Sequence, residues 1–276
     1  MKHNVKIISF LVILFLLSHI IGLFVIKHYL PEEQNLPLKI EKPQFEEKTS
    51  YIPIIVTIII ATALALILLK FKALRLWKLW FFLSVFVCLT IAFSAFMKEK
   101  IALVLSLVLS VIKLLRPSII VHNFTEVFIY GGLASIFVPV LNVFSVIILL
   151  LFISVYDMIA VWKTKHMISL AKFQAESNVF AGLFIPYSKK EPIKKLKEKQ
   201  EHKQAILGGG DVGFTLLFAG VILKFYGFFP ALIISVISAI SLVLLFVFAD
   251  DKKFYPAMPF LTLGCLIGLG LVKIIF

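Results

Sequence analysis

The sequence predicts an all-α polytopic membrane protein with nine transmembrane helices. Of its 276 residues, 61% are apolar and 16% are charged, whereas soluble domains have about 45–50% apolar and about 25% charged residues. Uncharged runs of about 20 residues, the length that crosses a bilayer as a helix, recur along the chain. Despite a net charge of +13, this composition excludes a water-soluble enzyme, a disordered chain and a nucleic-acid-binding module.

Six of the helices are predicted directly from apolar runs of sufficient length. These runs are residues 7–26, 51–69, 79–97, 206–223, 228–249 and 254–272. Residues 101–112 form a shorter run, which reaches the required length only if Lys113 and Arg116 extend to the interface. Residues 117–162 would form a helix of about 69 Å, too long for one crossing. We expect this stretch to fold back around residues 139–142 and to form two helices.

The basic residues predict the orientation, because cytoplasmic loops are enriched in lysine and arginine. With the N-terminus inside and the C-terminus outside, 20 of the 28 basic residues lie in cytoplasmic segments. The chain then divides into residues 1–162 with helices one to six, a cytoplasmic loop over 163–204, and residues 205–276 with helices seven to nine, all in one integral membrane domain. The first helix is interpreted as a retained anchor, since a cleavable signal peptide has an apolar run of about 7–15 residues.

Two acidic residues are predicted to lie at membrane depth, where a charged group is costly and is a functional candidate. Asp157 lies six residues before Lys163, which places it about 9 Å inside the cytoplasmic boundary. Asp211 lies eight residues after Lys203, about 12 Å inside the same boundary. Two carboxyls meeting there share one proton, so that one can deprotonate water while the other polarises a carbonyl. The same pair would suit proton relay or ion binding in a transporter, and depth alone leaves both functions open.

Three short motifs occur in order on helices six, seven and nine. The sequence reads ISVYDMIAVW around Asp157, LGGGDVGF around Asp211 and YPAMPF ahead of the last helix. Together they resemble the presenilin and signal peptide peptidase family of intramembrane aspartyl proteases, and most closely its archaeal presenilin homologues. The resemblance implies that the two aspartates are the catalytic pair and that transmembrane segments are cleaved without a metal or cofactor. The N-terminus-inside orientation resembles presenilin and implies type I substrates, whose own N-terminus is outside.

The residues beside the aspartates are expected to shape the site. Gly208, Gly209 and Gly210 weaken the start of helix seven and allow a substrate strand to approach, unless they serve only as a close helix contact. Tyr156 is a candidate for a hydrogen bond near the site, although a packed or interfacial tyrosine is the commoner arrangement.

A proline-rich element is expected to contribute backbone groups to the site. It consists of Pro256, Ala257, Met258 and Pro259. Its two prolines leave nearby backbone groups without helical partners, unless they only initiate the helix. Methionine stands at residue 258 where the family has leucine. Residues 230–232 match the family's Pro-Ala-Leu better, but they open helix eight from the outer side, so depth selects Pro256.

The loop between helices six and seven is expected to take part in substrate binding. Residues 167–175 are amphipathic, residues 179–187 (VFAGLFIPY) are typical of a strand, and residues 189–203 form a charged linker. A substrate helix must unwind to be cut, and its backbone then needs hydrogen-bonding partners in lipid. We expect strand addition to residues 179–187, or to the backbone ahead of Pro256, to supply them.

The remaining polar residues are expected to be structural. Glu126, near His122 and Asn123 in helix five, is interpreted as a hydrogen-bonding or water-facing group. No H-E-x-x-H or G-x-S-x-G motif occurs, which argues against a zinc or a serine protease. A prepilin-type peptidase shares the Gly-x-Gly-Asp motif but has fewer helices. The alternative of a different class is a cation or proton-coupled transporter, or a leak channel, using the same carboxyl pair.

Overall fold

The computed structural model describes residues 5–31, 33–43, 46, 49–116, 118–164, 173–174, 179–186, 204–248 and 255–276. Within these ranges the chain forms nine α-helices: α1 (Val5–Tyr29), α2 (Tyr51–Lys70), α3 (Leu74–Ser94), α4 (Glu99–Leu115), α5 (Ile119–Phe137), α6 (Val143–Met158), α7 (Gly209–Tyr226), α8 (Phe228–Phe248) and α9 (Met258–Ile275). Two short strands, β1 (Gly182–Pro186) and β2 (Gln204–Gly208), pair antiparallel. Eight of the described helices are long and apolar enough to cross a membrane, and α4 has 17 residues. The all-α membrane fold is confirmed, and the count of nine crossings stays a prediction.

The long apolar stretch folds back where the sequence predicts. Helix α5 ends at Phe137, a short 3₁₀ turn covers Val138–Val140, and α6 starts at Val143. Pro139 lacks the N–H that would continue α5. The Asn142 side chain accepts a hydrogen bond of 2.7 Å from the Ser145 amide and so caps α6. The turn is therefore specified by one proline and one capping side chain.

Helix α7 lies at the centre of the bundle, where its apolar side chains are buried against α1, α5, α6 and α8. Polar contacts of α1 help to hold α7 in place. The two ring nitrogens of His19 on α1 lie 3.0 Å from Thr215 Oγ1 on α7 and 2.9 Å from Ser235 Oγ on α8. A close crossing of α1 and α5 adds to this, because a methyl group on Gly131 would lie 2.8 Å from the Gly22 Cα. The helix that carries Asp211 is thus held on several sides.

The structure changes two expectations about helix ends. Lys113 does not extend to the interface, because its side chain is only 3% exposed and is paired inside the protein. Helix seven does not begin at residue 206, since Gln204–Gly208 is strand β2 and α7 starts at Gly209. An apolar strand that leads directly into an apolar helix gives one continuous hydrophobic run, which explains the error.

The strand expected within residues 179–187 is confirmed over Gly182–Pro186, and residue 187 lies outside the described residues. The amphipathic segment at 167–175 lies outside them as well, apart from residues 173–174.

Candidate active site

Asp157 lies in the last turn of α6 and is 6% exposed. Its Oδ2 accepts a hydrogen bond of 3.2 Å from the Met258 amide, and the backbone of Ala257 also bonds this carboxyl. Helix α9 begins at Met258, and the first N–H groups of a helix have no partner within it. No side chain of its own caps α9. A carboxyl from α6 therefore caps α9, which joins the two helices at the site.

Asp211 is the third residue of α7 and is half-buried. The backbone amide of Gly208, the residue that precedes the helix, hydrogen-bonds its carboxyl. An acidic side chain at the third helical position commonly reaches back in this way to the residue before the helix. Asp211 therefore caps its own helix, and its position is fixed by the strand-to-helix junction.

The two carboxyls are close enough to interact electrostatically. The N-termini of α7 and α9 both point at this place, and the N-terminal end of a helix carries partial positive charge. Asp157 and Asp211 therefore each lie beside a helix N-terminus, where a negative charge is stabilised. Such a pair can take a proton from water and give one to a carbonyl oxygen.

Two structural features next to Asp157 are not predicted from the sequence. The chain forms a π-helical turn over Ile159–Lys163, directly after α6, and such turns are frequent at functional sites. One turn before Asp157, the hydroxyls of Ser154 and Thr262 lie 2.7 Å apart and join α6 to α9. The spacing in the sequence is a signal for the Ser154–Thr262 contact. Ser154 lies on the same helix face as Asp157, and Thr262 lies one turn after Met258.

The glycines of the site differ in how tightly they are packed. A methyl group on Gly209 would lie 3.3 Å from the Tyr130 hydroxyl oxygen, and one on Gly208 would lie 3.1 Å from Asp211 Oδ2. Gly210 is exposed, and a methyl group there would meet only Phe214, at 3.8 Å. Close packing therefore accounts for Gly209 but not for Gly210.

The other residues singled out from the sequence are placed as follows. Tyr156 donates a hydrogen bond of 3.3 Å to Thr62 Oγ1 and so links α6 to α2. Pro256 is buried just ahead of α9. Pro230 lies in the first turn of α8, next to the C-terminal end of α7. Helix α7 is about 27 Å long, and Asp211 lies at its other end. The depth argument for Pro256 over Pro230 therefore agrees with the geometry.

Strand β1 is held on its outer edge by side chains of α5. His122 Nε2 lies 2.7 Å from the Gly182 carbonyl oxygen. Asn123 donates to the Phe184 carbonyl at 2.7 Å and accepts from the Phe184 amide at 3.0 Å. The backbone groups of residues 182 and 184 thus face α5, and those between them face β2.

Strand β2 leads directly into the helix that carries Asp211. Leu183 is opposite Leu207, so the alternation of an antiparallel ladder directs the backbone N–H and C=O of Ile206 away from β1. Asp211 lies only three residues after Gly208, the last residue of β2.

Residues 5–276 match the family described as signal-peptide peptidase, presenilin aspartyl protease. Two solved structures are similar, both described as a presenilin family intramembrane aspartate protease. The structure in space group C222 has a TM-score of 0.61 at 20% identity, over 95% of this chain and 94% of that chain. The structure in space group P2 has a TM-score of 0.66 at 20% identity, over 96% of this chain and 97% of that chain. A search of curated proteins finds no match.

Proposed function

Because the chain belongs to the signal-peptide peptidase and presenilin family of aspartyl proteases, we propose that Asp157 and Asp211 are its catalytic pair. The protein is a multi-pass membrane enzyme, an intramembrane aspartyl protease that acts on transmembrane segments of membrane proteins. One observation supports the assignment of the pair: Asp157 accepts a hydrogen bond from the first residue of α9, and Asp211 lies in the first turn of α7, so each carboxyl lies at a helix N-terminus. No metal or cofactor enters the proposal.

The reaction follows from a carboxyl pair that shares one proton. The ionised carboxyl takes a proton from water as the water oxygen attacks the scissile carbonyl carbon, and the protonated partner donates to the carbonyl oxygen. The resulting gem-diol collapses when one carboxyl protonates the amide nitrogen and the other takes a proton from a diol hydroxyl. The C–N bond then breaks, and the pair again holds one proton. Throughout, the N-termini of α7 and α9 stabilise the single negative charge.

We propose that the substrate strand binds at β2 rather than at the outer edge of β1. The expectation of strand addition to residues 179–187 is wrong for the outer edge of β1, because His122 and Asn123 occupy it. The outward N–H and C=O of Ile206 are suited to pair with an unwound substrate strand. Such a strand would run towards Asp211, past Gly210, which is exposed and uncrowded.

The proposed function is tested with purified protein and a transmembrane reporter peptide, with and without an aspartyl transition-state analogue. We expect cleavage within the apolar segment of the peptide, and its loss when the analogue is bound, because the analogue occupies the carboxyl pair. The alternative of a transporter or channel predicts ion flux in liposomes and no cleavage. Intact peptide together with a measurable flux would exclude the protease assignment.

We further propose that the N-terminus lies inside, that α4 is a ninth crossing, and that substrates have the type I orientation. The exposed residues Lys72, Lys100 and Arg116 then lie inside, outside and inside. In intact cells, a membrane-impermeant maleimide is expected to label Lys100→Cys and to spare Lys72→Cys and Arg116→Cys, because the bilayer separates them. Permeabilised cells provide the control, in which all three react. Equal labelling of the variants at 100 and 116 in intact cells would show that α4 does not cross.

A further inference from the structure

A buried ion pair lies between α4 and α5, away from the carboxyl pair. Lys113 Nζ is 2.6 Å from Glu126 Oε1, and the two side chains are 3% and 2% exposed. Removing two charges from solvent costs several kcal/mol for each ion, and their attraction offsets this only when further hydrogen bonds complete the arrangement. The further hydrogen-bond partners of Lys113 and Glu126 therefore indicate the role of the ion pair.

The Glu126 carboxylate binds one strand and one aromatic side chain. Its Oε2 accepts hydrogen bonds from the Tyr130 hydroxyl at 2.5 Å and from the Gly182 amide at 3.2 Å. Gly182 is the first residue of β1 and has a φ of +148°, a conformation that residues with a side chain rarely adopt. Lys113 also donates to Thr125 Oγ1 at 2.9 Å, which uses a second of its protons. The carboxylate thus anchors the strand at its point of entry.

Tyr130 extends the same contacts to α7. Its ring and hydroxyl lie where a side chain on Gly209 would be, 3.3 Å from the position of a Cβ atom. The Gly209 amide in turn donates a hydrogen bond of 3.2 Å to the Ala181 carbonyl, next to Gly182. A chain of contacts therefore leads from Lys113 on α4 to the turn that carries Asp211.

We infer that Glu126 is a positioning residue for the protease, with Lys113 as its counter-ion and Tyr130 as its link to α7. The carboxylate fixes the start of β1 and the first turn of α7, and thereby sets both the register of the substrate strand on β2 and the location of Asp211. This inference rests on the proposed function. Other donors would serve equally well to complete an ion pair with a purely structural role, whereas the donors here come from the strand and from the tyrosine that packs against Gly209.

Two double variants isolate the anchoring hydrogen bonds from the charge. Lys113→Met with Glu126→Gln is neutral, and its amide oxygen can still accept from Gly182 and Tyr130. Lys113→Met with Glu126→Leu is also neutral and has no acceptor. Replacement of a buried ion pair by packed neutral residues is often tolerated, so both are expected to fold. The Leu variant is expected to have the lower Tm, because it leaves the Gly182 amide and the Tyr130 hydroxyl without an acceptor.

We expect the Gln variant to keep kcat for the reporter peptide within about 3-fold of wild type. The Leu variant is expected to lose roughly 10- to 100-fold in kcat, because small displacements of catalytic groups have effects of that size. Mass spectrometry of its products is expected to show additional cleavage positions, which a purely structural role would not produce. Tyr130→Phe, which keeps the ring against Gly209, is expected to show a smaller loss in the same direction. Equal kcat and equal cleavage positions in the two double variants would overturn the inference.

Hydrogen exchange gives a readout that does not depend on activity. Amides of residues 182–186 are expected to exchange at least 10-fold faster in the Leu variant than in the Gln variant, because the strand has lost its anchor. Equal exchange rates would overturn the anchoring role even if the enzyme is active. Faster exchange in the Leu variant, together with no cleavage by the wild-type protein, would support the anchoring role and reject the proposed function. The two failures can therefore be distinguished.

Discussion

Replacing either Asp157 or Asp211 by Asn is expected to lower kcat for the reporter peptide by roughly 100- to 10,000-fold, the range measured when a general acid or base is lost. The reason is that the mechanism needs both members of the pair, and an amide can neither take the proton from water nor hold the shared proton. Rates are measured under single-turnover conditions, so that slow product release does not mask the effect.

The same two substitutions are expected to leave the fold intact. An Asn side chain at 157 keeps an oxygen that can accept from the Met258 amide, and one at 211 can accept from Gly208. Replacing one carboxyl by a neutral amide also removes the cost of keeping one member of the pair protonated at neutral pH. The Tm of each Asn variant in detergent is therefore expected to equal or exceed that of wild type.

Asp157→Ala is the matched control for the capping role. It removes the acceptor and leaves the Met258 amide without its partner, which is expected to lower the free energy of unfolding by about 1–3 kcal/mol. Loss of activity should thus be common to Asn and Ala, whereas loss of stability should be confined to Ala. An Asn variant that retains more than a tenth of wild-type kcat would contradict the catalytic assignment of that residue.

The prediction that the two aspartates lie at the same level depends on distances along the chain alone. It takes Lys163 and Lys203 as the expected boundary and uses the helical rise to convert residue number into depth. The same reasoning selects Pro256 over Pro230, since successive helices alternate in direction. The contact of Asp157 with the Met258 amide agrees with that selection.

The polar contacts of Glu126 were not predictable from spacing. Its ion pair with Lys113 joins two helices, and its bond to Gly182 joins a helix to a strand 56 residues away. Such contacts depend on how each helix is rotated about its axis, which an almost wholly apolar sequence does not encode clearly. One signal was available: Lys113 and Glu126 are opposite charges in neighbouring apolar helices, and intramembrane charges usually pair.

Ile206→Pro tests the proposed substrate edge and is expected to lower kcat/KM by roughly 10- to 100-fold, the effect of leaving one buried substrate carbonyl without its hydrogen bond. Proline has no N–H, and the N–H of Ile206 is directed away from β1. The pairing of β1 with β2 is therefore expected to persist, and Tm to stay unchanged. Proline is accepted at the outward positions of edge strands, and the preceding residue is already extended.

Ile206→Ala provides the comparison at the same position, because it shortens the side chain and keeps the N–H. It is expected to cleave within about 3-fold of wild type if backbone pairing, rather than side-chain contact, holds the substrate. Leu207→Pro removes an N–H that faces β1 and is expected to lower both Tm and activity, since it breaks the hairpin itself. Equal kcat/KM for Ile206→Pro and Ile206→Ala would mean that the unwound substrate finds its partners elsewhere, and the backbone ahead of Pro256 would then be the edge to test.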